Sequence, residues 1–221
     1  MKEDSNQVLQ RHQKAIDQLR DCGQLFHGRG WSVGTSSNYS VICDRDPLQL
    51  IITASGKDKG RLQRDDFVLV DQLGQPFDAL QPKSSAETML HCVVAQQNPA
   101  IGAVLHTHSI WGTILSDHFF DETNPGESGF DICGYEMLKG LEGITTHETT
   151  VRVPIFENTQ DIPELATRVK AYFAGTTPEN SHGYLIRRHG LYTWGKDIAA
   201  ARRHIEIFEF LFEVIGRRLS L

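Results

Sequence analysis

The chain has 221 residues, of which 39% are hydrophobic and 23% charged, with a formal net charge of −6 at pH 7. That length and balance suit a globular protein with one sizeable core. The acidic charge argues against a broad nucleic-acid footprint, which needs a basic face, but leaves room for a local pocket for a small anion. No apolar stretch approaches the ~20 residues of a membrane span, and the start, Met1-Lys2-Glu3-Asp4-Ser5-Asn6, is polar and unlike a secretory leader. Cys22, Cys43, Cys92 and Cys133 are scattered without a C-x-x-C pair, so free thiols in a reducing cytoplasm are expected.

Leu9, Ile16, Leu19, Cys22 and Phe26 recur at helical spacing and predict one amphipathic helix over 7–27, ended by Gly28-Arg29-Gly30. A loop of small residues, 34–38, precedes a strand at 39–43. Asp44-Arg45-Asp46-Pro47 then turns the chain into a second strand at 48–53. A third strand at 67–70 leads into a hairpin turn at 72–75. Ser84-Ser85-Ala86-Glu87 reads as a helix start, with a serine cap and an acid in the first turn. That helix runs on through Met89, Leu90, Val93 and Val94 until Asn98-Pro99 stops it.

An apolar run, Ile101 to Leu105, enters His106-Thr107-His108 as a strand, and a short helix follows at 111–115. Residues 119–134, rich in Asp, Glu, Gly and Pro, are expected as a mobile loop, and 135–139 as a short helix. The strand at 151–156 contains Pro154, which predicts an edge position or a bulge. A helix at 163–173 and strands at 183–186 and 191–194 follow, the last two flanking His189. The final helix is capped by Asp197, with Ile205, Phe208, Leu211, Phe212 and Ile215 inward. With no repeat and no low-complexity linker, residues 1–221 are expected to form one domain. Hairpin-like neighbours without a strict βαβ rhythm predict an α+β layered fold, a mainly antiparallel central sheet covered by helices.

Chemistry concentrates at three places. In a strand, side chains i and i+2 share a face, roughly 6.5–7 Å apart at ~3.3 Å per residue. His106 and His108 can therefore converge on one metal ion while Thr107 points away. His189, in Arg187-Arg188-His189-Gly190, is a third candidate ligand, and three imidazoles leave a coordination position open, as catalytic zinc sites do. Three imidazoles also suit Fe²⁺, Co²⁺ and Ni²⁺. His91, His118, His147 and His182 are read as core or surface, because the triad already fills three positions. The small-residue loops 34–39, 53–59 and 82–85 offer backbone N–H groups and hydroxyls. Together they could cradle one phosphate, the last beside a helix N-terminus, although each alone is also ordinary turn chemistry. Glu87 and Glu136 are candidate proton carriers, which the sequence by itself does not single out from the 28 acidic residues.

Ser85-Ala86-Glu87, His106-Thr107-His108 and Arg188-His189-Gly190, in this order across nearly the whole chain, resemble the class II aldolase/adducin family. The resemblance implies zinc or another divalent metal on His106, His108 and His189, one per subunit. It implies a sugar phosphate held near Ser37, Asn38, Ser55, Gly56 and Ser85. It also implies a homotetramer with the active site at a subunit boundary. Aldolases of the family usually carry two serines before the acid, and here the second is Ala86.

The strings Ile52 to Lys59, Gly134-Tyr135-Glu136-Met137-Leu138-Lys139-Gly140, Val153 to Asn158, Leu185 to Gly190 and Tyr192 to Gly195 resemble the family's dehydratases. That likeness implies a metal-dependent hydro-lyase acting on a ketose 1-phosphate, with Glu136 as acid/base. In the aldolases this work falls to the glutamate corresponding to Glu87, which would here take a proton or close the metal site before substrate arrives. An aldolase or epimerase would keep the same metal and phosphate sites, and the Glu136 string argues against it. A non-catalytic adducin-like domain predicts lost metal ligands, whereas all three histidines are present. The Trp111 to Phe120 region is a candidate lining for an apolar substrate tail, and the final helix could offer its aromatic residues to a neighbouring subunit or to the core.

Overall fold

In the computed structural model, which describes residues 5–175 and 182–221, the N-terminal helical spacing resolves into two helices rather than one. These are α1 (Ser5–Arg11) and α2 (Gln13–Gly28), parted at His12. His12 sits at φ −96°, ψ 19°, yet its N–H still bonds Val8 O and its carbonyl still accepts from Ile16 N. The break therefore costs one residue of geometry and keeps Val8, Ile16 and Leu19 on the buried face. The first residues of the polar start, 1–4, lie outside the described residues.

Eight strands follow: β1 (Asn38–Arg45), β2 (Leu48–Thr53), β3 (Phe67–Asp71), β4 (Ala103–Thr107), β5 (Gly129–Ile132), β6 (Val151–Phe156), β7 (Gly183–Ile186) and β8 (Gly190–Gly195). They form one sheet in the order β3-β2-β1-β4-β8-β7-β6-β5. Only β6 and β7 pair in parallel, so the sheet is mainly antiparallel. The remaining helices are α3 (Thr88–Gln97), α4 (Ile110–His118), α5 (Ile162–Ala174) and α6 (Ile198–Leu219).

Period-2 alternation sends successive strand residues to opposite faces. Leu105, Val153, Leu185 and Leu191 join one buried cluster with Ile205, Phe208, Leu211 and Phe212 of α6. Val104, Tyr184, Ile186 and Tyr192 join another with Leu90, Val93 and Val94 of α3 and Leu165 and Val169 of α5. The sheet is thus sandwiched between helices. The Asp197 carboxylate accepts from Ala200 N at 2.7 Å and starts α6. Of the α6 aromatics, Phe208 and Phe212 are buried and Phe210 is exposed.

Three expectations need correction. Residues 119–134 are not all loop: Gly129–Ile132 is a strand whose Phe130 and Ile132 enter the core. β6 is not at the edge, since β5 lies outside it, and its register with β5 and β7 is regular. Ile155 N donates to Ser128 O on the β5 side. The missing N–H of Pro154 therefore falls on the β7 side, before pairing with β7 begins at Ile155. The turn after β3 closes through Gly74 N to Asp71 O. Its return arm makes only the single bridge Val70 to Pro76, closed by Asp71 N to Gln75 O and Phe77 N to Leu69 O, so the hairpin is short. No described helix is long and apolar enough to cross a membrane, and all four cysteines are free thiols.

Candidate metal centre and active site

His106 is the fourth residue of β4 and lies opposite Tyr192 of β8. His108 follows the strand, with its N–H donating to Trp31 O at 2.7 Å. His189 rides the turn between β7 and β8. That turn approaches β4 so closely that a Cβ on Gly190 would lie 2.0 Å from Thr107 O, which accounts physically for the glycine after the histidine. Arg187 anchors the same turn: its guanidinium meets Asp117 at 3.0 Å, Glu122 at 2.7 Å and Glu157 at 3.1 Å. The sequence reading missed this clamp, whose acids lie 30 to 70 residues away in sequence.

Glu87, His106, His108 and His189 each offer one ligand atom, and these atoms all lie within 4.8 Å of one another. Glu87 Oε1 is 3.0 Å from His189 Nε2, and Oε2 is 3.7 Å from His106 Nε2. The Nδ1–H of His106 donates to Leu191 O at 2.9 Å. That fixes the tautomer and leaves the Nε2 lone pair facing the cluster, buried and without a hydrogen-bond partner. An orphaned imidazole lone pair among two more imidazoles and a carboxylate is the donor set a divalent metal takes. The His106 ring is held from behind by Tyr192, stacked at 4.0 Å.

Burial pushes the His106 pKa well below its usual value and that of His108 down to about 4. Both are neutral at physiological pH, as ligation requires. Burial would raise Glu87, but His106, His189 and the Asn38 amide more than offset this and hold its carboxyl below the usual range.

Glu87 is not in the first turn of the helix, as its spacing from Ser84 suggested. α3 begins at Thr88 with Glu87 at the cap position, and Ser85 Oγ accepts from Glu87 N at 3.3 Å. The carboxylate is steered by a chain of hydrogen bonds. Asn38 Nδ2 donates to Glu87 Oε2 at 2.7 Å, His91 Nε2 donates to Asn38 Oδ1, and Ser40 Oγ donates to His91 Nδ1 at 2.8 Å. His91 is therefore buried, as expected, yet it orients the site. The only sequence signal for this was its i+4 spacing from Glu87.

The three small-residue loops converge beside this cluster. Asn38 Nδ2 meets Ser85 Oγ at 3.3 Å. Ser55 N donates to Lys83 O at 2.9 Å, and Ala54 bridges Ser84. Ser37 and Gly56 turn their loops at φ 71° and 70°. Ser37 and Asn38 are buried, Ser85 is half-buried, and Ser55 and Gly56 are exposed.

Glu136 lies elsewhere. It opens the 3₁₀ turn Glu136–Gly140, is 71% exposed, and pairs with Lys139 and with His147 at 3.6 Å. The fold of one chain thus brings Glu87, and not Glu136, to the three histidines. His118 and His147 are exposed and His182 is buried, with Nε2 donating to Glu142 O. In the Trp111 to Phe120 region, Trp111 packs on Gly216, Phe119 stacks on Phe130, and Phe120 lies under Arg187.

The model of the class II aldolase and adducin N-terminal domain matches residues 17–215. The chain belongs to the class II aldolase/adducin family. A methylthioribulose-1-phosphate dehydratase from Marinobacter nauticus is 47% identical over 203 residues, 92% of this chain and 93% of that protein. One of the same description from Pseudomonas aeruginosa is 45% identical over 211 residues, 95% of this chain and 97% of that protein. The crystal structure of L-fuculose-1-phosphate aldolase from Thermus thermophilus shares the fold at a TM-score of 0.69 and 21% identity, covering 96% of this chain and 97% of that one.

Proposed function

We propose that this chain removes water from 5-methylthioribulose 1-phosphate to give 2,3-diketo-5-methylthiopentyl 1-phosphate, a step of methionine salvage. The observation that carries the reading is the likeness, at 45–47% identity over more than nine-tenths of the chain, to methylthioribulose-1-phosphate dehydratases, in a chain that retains a complete His/Glu cluster. His106, His108, His189 and Glu87 would hold the metal, and the imidazole-rich set suits Zn²⁺. A divalent ion bound there supplies Lewis-acid polarisation of the substrate's carbonyl, which acidifies the neighbouring C3–H.

The chain's own groups carry the protons. Glu87, ionised and aimed by Asn38, is the base that takes the C3 proton. Glu136 donates the proton with which the C4 hydroxyl leaves as water, and the resulting enol tautomerises to the diketone. Such a positioned acid is typically worth ~10²–10⁴ in rate. Its distance from the cluster in one chain favours a homotetramer in which Glu136 serves a neighbouring subunit's metal site. Loops 34–38 and 53–56, with Ser85, take the phosphate through Ser37, Asn38, Ser55, Gly56 and Ser85. The chain acts as one domain, and a cytoplasmic location accords with its four free thiols.

The test is turnover of methylthioribulose 1-phosphate by purified protein of measured metal content. Diketone formation that requires about one bound metal per chain, the count set by one four-ligand cluster, is expected. A metal-loaded protein that forms no diketone would refute the dehydratase reading and direct attention to fuculose 1-phosphate and ribulose 5-phosphate.

A further inference from the structure

Lys59 is 1% exposed, at the start of a 3₁₀ turn, Lys59–Arg61. A buried ammonium is costly unless an anion pairs with it. Yet among the described residues no carboxylate forms an ion pair with Lys59. The acids nearby are engaged elsewhere: Asp58 accepts from Gly60 N and faces His27 and Arg61, while Asp66 pairs with Lys57 at 2.7 Å. Two neutral carbonyls are what Lys59 Nζ holds, Thr35 O at 3.3 Å and Lys57 O at 2.7 Å. An ammonium has three donors, and neither of these bonds is to an anion; Asp58, Asp66 and Glu87 act on its charge only through space.

The position of those carbonyls is informative. Thr35 lies two residues before Ser37, and Lys57 two residues after Ser55. Lys59 therefore stitches together the two loops that converge beside the metal cluster. Its charge is also felt by Glu87 and by His108, which places it near the reacting end of the site. Lining polar loops with a buried, unpaired cation beneath them is how a fold prepares for a small dianion.

We propose that Lys59 supplies the positive charge of the phosphate subsite, as a positioning residue that ties loops 34–38 and 53–59 together and attracts the substrate's phosphate dianion. This rests on the sugar-phosphate reading above. It adds a charged residue to the hydroxyls and backbone groups of these loops, and it makes the subsite selective for phosphate esters over uncharged sugars.

The experiment compares the metal-loaded wild type with Lys59→Gln, whose amide can still donate to both carbonyls but carries no charge. Inorganic phosphate binding is read by calorimetry, and KM and kcat by diketone formation. Expected are a loss of phosphate affinity and a rise in KM of roughly 10- to 100-fold, the scale of unit charges ~6–12 Å apart at an effective dielectric of about 20. Metal content and kcat should stay within about threefold, because only uniform binding is lost. Phosphate affinity and KM like the wild type's in Lys59→Gln would reduce Lys59 to a loop clip and overturn the proposal. So would a fall in kcat at unchanged phosphate affinity, or a wild type that binds no phosphate. If Lys59→Gln fails to fold, Lys59→Met, which removes the buried charge without adding a polar group, serves the same comparison. A wild type that forms no diketone, yet binds phosphate in a Lys59-dependent way, would refute the dehydratase reading and leave this proposal standing.

Discussion

Replacing Glu209 by Gln should make the protein more stable at neutral and alkaline pH, by an amount that grows between pH 5 and 8. Glu209 is 3% exposed on α6, directly behind the His106-Thr107-His108 strand, and Thr107 Oγ1 donates to its carboxylate at 3.0 Å. Burial raises its pKa from 4.5 to about 7, the bonds from Ser109 and Thr107 only partly opposing this. Between those two values the folded chain holds a proton that the unfolded chain has released. Stability contributed by the protonated acid is therefore complete below pH 4.5, falls as pH rises, and levels off above pH 7. At 1.36 kcal/mol per pKa unit, the loss is about 3 kcal/mol in full and about 2.5 kcal/mol between pH 5 and 8. For a chain of this size that corresponds to roughly 5–10 °C in melting temperature. The assay is thermal or urea unfolding of both forms across that range, in metal-free buffer, because only the difference between them isolates residue 209. A constant gap between the two curves from pH 5 to 8 would refute the argument that this acid is folded in its neutral form.

His108→Ala should fold but retain little metal and no activity, as metal analysis and turnover would read. Full activity after exhaustive chelation would overturn the metal assignment. Glu136→Gln should keep its metal and lose ~10²–10⁴ in turnover. Mixing it with inactive His108→Ala and reassembling the subunits should restore part of the activity if Glu136 serves a neighbour's site, and no recovery would return the acid to its own chain. Gly190→Ala forces a methyl to within 2.0 Å of Thr107 O. It should lower stability by ~2 kcal/mol or more and weaken metal retention through His189. Wild-type melting and metal content in that variant would show that the turn can shift freely.

The sequence was most legible where one physical period dominates. The final helix follows a pattern that leaves little choice of face, and the two histidines that spacing singles out, with the third candidate His189, are the ones the fold brings together. β5 was hidden because Gly129-Phe130-Asp131-Ile132 is four residues long and sits among loop-forming residues. Its burial comes from pairing with β6, a contact of long sequence separation. The position of Glu87 was misread for a local reason: Ser84 and Ser85 look like caps, but Thr88 Oγ1 donates back to Ser85 O at 2.8 Å and the helix starts later. That shift puts the carboxylate at the helix entrance, facing the histidines. The connection of Ser40 and His91 to Asn38 and Glu87 was hidden for another reason: the members of this chain lie up to 53 residues apart.

Within one chain the candidate metal centre and the proposed proton donor are unequally finished. Three of the four members of the His/Glu cluster are fixed from behind: His106 by Leu191 and Tyr192, His189 by the Arg187 clamp, Glu87 by Asn38. Two buried nitrogens of the cluster, His106 Nε2 and His189 Nδ1, have no hydrogen-bond partner, and leaving a group such as His106 Nε2 unpaired costs ~1–3 kcal/mol. Metal binding removes that cost and joins the α3 entrance, the β4 end and the β7–β8 turn, so metal should stabilise the fold by mass action as well as serve catalysis. Glu136 has no comparable support. Among the described residues its carboxylate is held only by the exposed partners Lys139 and His147. If it acts across a subunit boundary, a dissociated chain would be a competent metal binder and an incompetent dehydratase. Activity should then fall on dilution below the assembly constant while bound metal does not, a separation that a site complete within one chain would not produce.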